Sequence, residues 1–313
     1  NYSNFVFSTV FTYQNMLVIC IPFWVFTAIL SGFLDIRNRF SISASHPIIT
    51  TISIICFLLF YEQSIKSLIY GFIFGSILEF IYLWIFQPFD INFKKIKLNH
   101  HSNKNLYIQF PPKLLSGLII GLNPIVDQIF CSQLALGAIS ALNYGSKVPA
   151  FFISILTIAI GNVLLPYFSG LNSLSNSEIL KELRNKLFFC FSIGILSSIF
   201  LWIFSETIIT YLFENGLFQK EDTKNISKIL KLFSIQIPFY LMDIILVRFL
   251  TAFNINKFNI YSSAISVFLN IIANYILIQK YGISGIAFST SIVVFISFLT
   301  KYAYITFKFS NKK

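Results

Sequence analysis

Eight polar or ionisable residues lie inside the apolar stretches of this chain: Asp127, Gln128, Lys147, Asn162, Asp243, Arg248, Asn270 and Asn274. In hydrocarbon such groups are expensive and are kept where they face a bundle interior or a wet cavity, so they mark where function is to be sought. Enzyme chemistry is not what they spell. The acidic residues within the apolar segments are dispersed rather than paired, and Gly-rich phosphate loops, a nucleophile elbow and a zinc-protease helix are all missing. Asp243 and Arg248 share one predicted helix, but a spacing of five sets them apart around it. Asn270 and Asn274, four apart on one face, fit glue between helices. Glu79 and Glu206 read as interfacial groups near helix ends, with a proton-coupling role open.

Cys20, Cys56, Cys131 and Cys190 stand singly in apolar surroundings and read as small hydrophobes, not as a disulfide or metal framework. His100 and His101 are adjacent in a polar loop, where a solvated face is the simpler reading than a metal site. No cofactor and no metal is expected.

The elements that position these residues follow from composition. Hydrophobic residues make up 56% of 313 and charged residues 11%, and the mean hydropathy is +0.76. A soluble domain carries about 25% charged residues, so the chain is read as an all-α polytopic membrane protein. Apolar runs predict nine spans, at 10–34, 46–61, 65–86, 112–136, 148–168, 187–213, 229–252, 259–279 and 284–306, most near the ~20 residues that cross a bilayer. Asn123-Pro124 should break the fourth, Gly161 and Asn162 interrupt the fifth, and Pro238 kink the seventh.

The 38 phenylalanines fit lipid-facing or packed surface rather than an aromatic site. Three domains are expected: a front block of three helices (1–86), a basic cytoplasmic linker (87–111), and a rear block of six helices with a basic tail (112–313).

Fourteen Lys and Arg residues fall in one set of connections and seven in the opposite set. The richer side is cytoplasmic by the positive-inside tendency, which puts the C-terminus inside and residue 1 outside. Because the chain begins with Asn1 and has no leader-like start, an odd number of spans is expected upstream. The +11 net charge is spread over loops with no soluble domain to display it, so a nucleic-acid partner is not expected. Anionic headgroups of the cytoplasmic leaflet are the simplest partners for these cations.

Four stretches then become recognisable. Leu30-Ser31-Gly32-Phe33-Leu34, Asn38-Arg39-Phe40-Ser41-Ile42-Ser43-Ala44 and Pro47 form the first. Val126-Asp127-Gln128-Ile129-Phe130, Gly137 to Tyr144 and Gly161 to Pro166 form the second. Leu212 to Phe218 with Asp222-Thr223, and Tyr281 to Ala287, complete the set. In this order they resemble signature blocks of the MurJ (MviN) family of lipid II flippases, within the multidrug/oligosaccharidyl-lipid/polysaccharide exporter superfamily. The resemblance covers nearly the whole chain. It implies a two-lobe fold of six plus six helices, with the nine spans here corresponding to the family's fourth to twelfth helices and three N-terminal helices missing.

The resemblance also implies a function: a monomeric transporter in the bacterial inner membrane that moves an undecaprenyl-pyrophosphate-linked saccharide from the cytoplasmic to the outer leaflet by alternating access. Its substrate-contacting residues would be Lys147, Asp127 and Asn143, with Lys147 at the position of a family arginine. Lysine keeps the charge but loses the planar fork, and a cation snorkelling to the interface is the other reading of Lys147. Arg248 matches a basic family position and would serve as a gate or lateral lipid contact, or as an inter-helix bond. Gln128 stands where the family carries arginine. These two departures leave open a flippase for another lipid-linked oligosaccharide, and the missing front leaves open a truncated, non-transporting membrane protein.

Overall fold

The computed structural model describes residues 11–37, 39–61, 64–87, 104–216 and 218–310. Asn38, the His100-His101 pair and most of the 87–111 linker lie outside the described residues, as does the side chain of Asn162. Every regular element among the described residues is helical. Among the described residues eight helices are long and apolar enough to cross a membrane, or nine if the one bent helix is counted as a single span. The chain divides into two compact units, Asn1–Lys97 and Leu98–Lys313.

The first unit holds α1 (Cys20–Ile36), α2 (Phe40–Phe60) and α3 (Ile65–Phe86). Helix α2 starts at Phe40 rather than near residue 46, so Pro47 sits inside it. Membrane helices tolerate such a proline because neighbouring groups re-satisfy the freed backbone. Leu30, Leu34 and Leu83 form a small core between α1 and α3. Glu79, read above as interfacial, is buried in α3; it accepts a hydrogen bond from Thr50 Oγ1 at 2.5 Å and lies 3.7 Å from His46 Nδ1.

The second unit comprises α4 (Lys104–Ile120), α5 (Leu122–Cys131), α6 (Ala138–Ser169), α7 (Asn176–Phe213), α8 (Lys220–Ser234), α9 (Ile237–Ala252), α10 (Asn256–Tyr281) and α11 (Ile283–Ser310). The fourth span is α4 and α5, jointed at Gly121 just before Asn123-Pro124; residues 132–136, predicted as its end, are a turn. Residues 104–111, assigned above to the linker, belong to α4. Helix α6 begins well before residue 148 and bends by 42° between Ala138–Ile158 and Val163–Ser169, around Gly161. The seventh span is split into α8 and α9, with Pro238 in the first turn of α9, where a backbone donor is not needed.

Packing explains the interior of this unit. Phe168 of α6, Leu183 and Leu201 of α7, and Leu246 and Phe249 of α9 share one core. Gly145 lets α6 lie directly on α8, since an added Cβ would fall 2.5 Å from Ile229 Cγ2. Gly282, with φ of +56°, makes the tight turn that folds α11 back along α10. Phe188, Phe189, Leu196 and Ile203 stand exposed along α7, the apolar outer surface that a lipid solvent calls for.

Candidate functional site

The polar residues of the second unit converge on breaks in its helices. The α4/α5 joint and the α8/α9 joint leave a cavity of about 280 Å3, lined by Asn123, Asp127, Gln236, Tyr240, Asp243 and Asn270 among others. Asn123 and Gln236 reach it because their helices stop and restart beside them. Two carboxylates therefore share one small cavity lined by α4, α5, α9, α10 and α11.

The two are held differently. Asp243 of α9 accepts two bonds from Lys301 Nζ of α11, at 2.7 and 2.9 Å, and one from Ser297 Oγ at 3.3 Å. Lys301 spends its third donor on Ser297 Oγ at 2.7 Å and is 1% exposed. This is a closed ion pair between helices that the sequence reading did not contain. Among the described residues Asp127 of α5 has only neutral donors: Asn274 Nδ2 at 2.7 Å on Oδ1 and Thr290 Oγ1 at 3.1 Å on Oδ2. Asn274 also donates to Asn270 Oδ1 at 2.5 Å and accepts from Ser289 Oγ. Asn274 does join helices, as expected, and does so by holding a carboxylate, while Asn270 accepts from Asn274 one turn away on the same helix.

Lys147 and Asn143 lie elsewhere. They sit one turn apart on the exposed side of α6, away from the packed positions Leu142, Gly145 and Val148. Lys147 Nζ lies 5.1 Å from the centre of the Tyr144 ring, which packs on Phe213 and Phe218. Among the described residues neither shares a hydrogen-bond network with Asp127. Gln128 is exposed on α5. Arg248 is half-buried on α9 and makes no ion pair among the described residues; Asp243 is committed to Lys301 instead. No group of three or more His, Cys, Asp or Glu residues that could hold a metal occurs among the described residues. The four cysteines are free, and all but Cys56 are buried.

A helical membrane protein with broken spans around a polar cavity is the architecture of secondary transporters. The fold is shared with a multidrug transporter solved in an outward-facing conformation and described as a MATE family transporter of the MOP superfamily, which superposes with a TM-score of 0.74 over 95% of this chain and 69% of its own, at 12% identity. A structure described as lipid II flippase MurJ, in an inward closed conformation, matches with a TM-score of 0.72 at 28% identity, over 95% of this chain and 63% of that one. The sequence family described as Lipid II flippase MurJ matches residues 4–311. This chain belongs to the MurJ family.

A probable lipid II flippase MurJ of Rickettsia prowazekii is 28% identical over 92% of this chain and 58% of its own length. The lipid II flippase MurJ of Burkholderia cenocepacia is 25% identical over 89% of this chain and 57% of its own. The chain thus spans a little under three-fifths of the length of these curated relatives.

Proposed function

We propose that this chain belongs to a flippase that carries an undecaprenyl-pyrophosphate-linked peptidoglycan precursor, lipid II, from the cytoplasmic to the outer leaflet by alternating access. The observation that carries the reading is the family match over residues 4–311. The protein works as a monomer in the bacterial inner membrane with its C-terminus in the cytoplasm, an orientation supported by the Lys/Arg bias of the connections. Its partners are the lipid-linked substrate and the surrounding membrane lipids. No nucleic acid and no organic cofactor is part of this reading, and no covalent bond is made or broken.

Lys147 and Asn143 contact the headgroup: an exposed cation and an amide one turn apart can give a pyrophosphate charge-assisted hydrogen bonds as it leaves the interface. Asp127 carries the sign of charge that repels pyrophosphate, so its place in the cycle is to shape the field of the cavity rather than to ligate phosphate. Arg248, with no ion-pair partner among the described residues, acts as a gate or lateral lipid contact.

The test is growth of cells depleted of their lipid II flippase. Expression of the full protein should rescue them, and an inserted, abundant protein that fails to rescue overturns the lipid II assignment. Lys147→Gln should abolish rescue while Lys147→Arg keeps it. Full rescue by Lys147→Gln removes that residue from the substrate path.

A further inference from the structure

Helix α10 carries a stripe of polar side chains on one face: Asn256, Asn259, Ser262, Ser266, Asn270 and Asn274, all 5% exposed or less. The steps of three and four keep them aligned. At 1.5 Å per residue the stripe runs for about 27 Å, close to the ~30 Å of a hydrocarbon core. The facing wall is the α4–α5 span, fixed by hydrogen bonds at three levels. Asn256 Nδ2 donates to Gln109 Oε1 at 3.0 Å, Asn123 Nδ2 to Ser266 Oγ at 3.4 Å, and Asn274 Nδ2 to Asp127 Oδ1 at 2.7 Å.

Between these levels the polar groups are not closed on one another. Asn256 Oδ1, Asn259 Oδ1, Ser262 Oγ and Asn123 Oδ1 are buried without a hydrogen-bond partner among the described residues. On the α4 wall, Pro112 is buried and removes the donor that would meet the Ile108 carbonyl. Each unsatisfied polar group in hydrocarbon costs several kcal/mol. Helix-to-helix glue would use side chains whose bonds are complete. A run of acceptors and hydroxyls with free valences is instead the lining of bound water, which makes two to four bonds to such groups.

We propose that the α10 seam binds a file of water molecules joining Asp127 to the membrane face at which α10 begins. Solvent then reaches this carboxylate along the helix interface and not through the cavity alone. Linked polar groups and water of this kind are how membrane-buried carboxylates exchange protons with one side. By the orientation proposed above, that side is the cytoplasm. The water file itself does not depend on the identity of the transported lipid.

Single cysteines in a background with Cys20, Cys56, Cys131 and Cys190 replaced by Ala test this, in sealed membrane vesicles of both orientations. The probe is a charged, membrane-impermeant methanethiosulfonate. Ser262→Cys should react at least about tenfold faster than Phe268→Cys, which lies on the lipid side of α10, because a thiol in hydrocarbon stays protonated. The reaction should occur only from the face that labels Lys257→Cys, and adding Ser262→Leu should block labelling of Ser266→Cys from that face.

Asn259→Cys repeats the measurement if Ser262→Cys does not insert. Absence of labelling at both positions, with Lys257→Cys labelled, overturns the water file. Labelling of Ser266→Cys that Ser262→Leu leaves unchanged also overturns it, since the cavity would then be the route. Labelling of Lys257→Cys and Ser262→Cys together from the outer face overturns the cytoplasmic orientation while leaving the seam standing, whereas labelling of Ser262→Cys from the face opposite Lys257→Cys overturns the seam.

Discussion

Asp127 and Asp243 line the same cavity, yet one is neutralised and the other is not. Asp243 lies against a buried ammonium that spends all three donors on it and on Ser297. Its charge is cancelled in place, and the pair ties α9 to α11. Asp127 is held by an amide and a hydroxyl from α10 and α11, which orient the carboxylate without supplying countercharge. A cancelled charge is a joint, whereas an oriented and uncancelled one is available to something that comes and goes. On the function proposed above, Asp127 is the working carboxylate and Asp243 a structural one, although by residue type and depth they look alike.

Replacing Lys301 should break this comparison most visibly. Lys301→Met leaves Asp243 buried without countercharge, a change that costs about 3–5 kcal/mol when one partner of a buried pair is removed. Detergent-solubilised protein should lose thermal stability sharply, and the double variant Asp243→Leu with Lys301→Met should recover most of it. A double variant as unstable as the single one would show that packing, not charge, is at stake. Next in size is Asn274→Ala, which strips Asp127 of its shortest bond and leaves the buried Asn270 Oδ1 without its donor; a loss of about 1–3 kcal/mol is expected on the same assay.

Thr290→Val removes one donor and should cost about 1 kcal/mol. Asp127→Asn should be the mildest for stability, neutral or slightly stabilising, because it removes an uncompensated charge and keeps an amide shape. It should nevertheless abolish rescue in the growth assay. An unstable Asp127→Asn protein would place Asp127 with Asp243 among the structural joints.

Much of this was legible in the sequence, for reasons that lie in the solvent. A bilayer demands about 20 apolar residues per span and satisfied backbone throughout, so span number and the breaks at Asn123-Pro124, Gly161 and Pro238 could be read from local pattern. Asp127 and its partners Asn270 and Asn274 were recognisable as costly polar groups. Their joining was not, because residue 127 meets residue 274 only through the packing of α5 on α10. Lys301 is a stronger case. A lone lysine in the last span carries no signal of the aspartate 58 positions away that explains it. Glu79 was misplaced for the same reason: Thr50 and His46, which make its burial tolerable, lie on a different helix.

Helix α7 is 38 residues long, about 57 Å at 1.5 Å per residue, roughly twice the thickness of a hydrocarbon core. Its first turns, with Glu178, Lys181, Glu182, Arg184 and Lys186, must therefore stand in water. Glu182 accepts a 2.5 Å bond from Tyr167 Oη, and Lys186 Nζ lies 4.6 Å from the centre of the same ring. An amphipathic ring held between two charges settles at the headgroup level. Tyr167 is thus a depth gauge, one that sets the water line on this unit and so fixes how far below it the shared cavity lies.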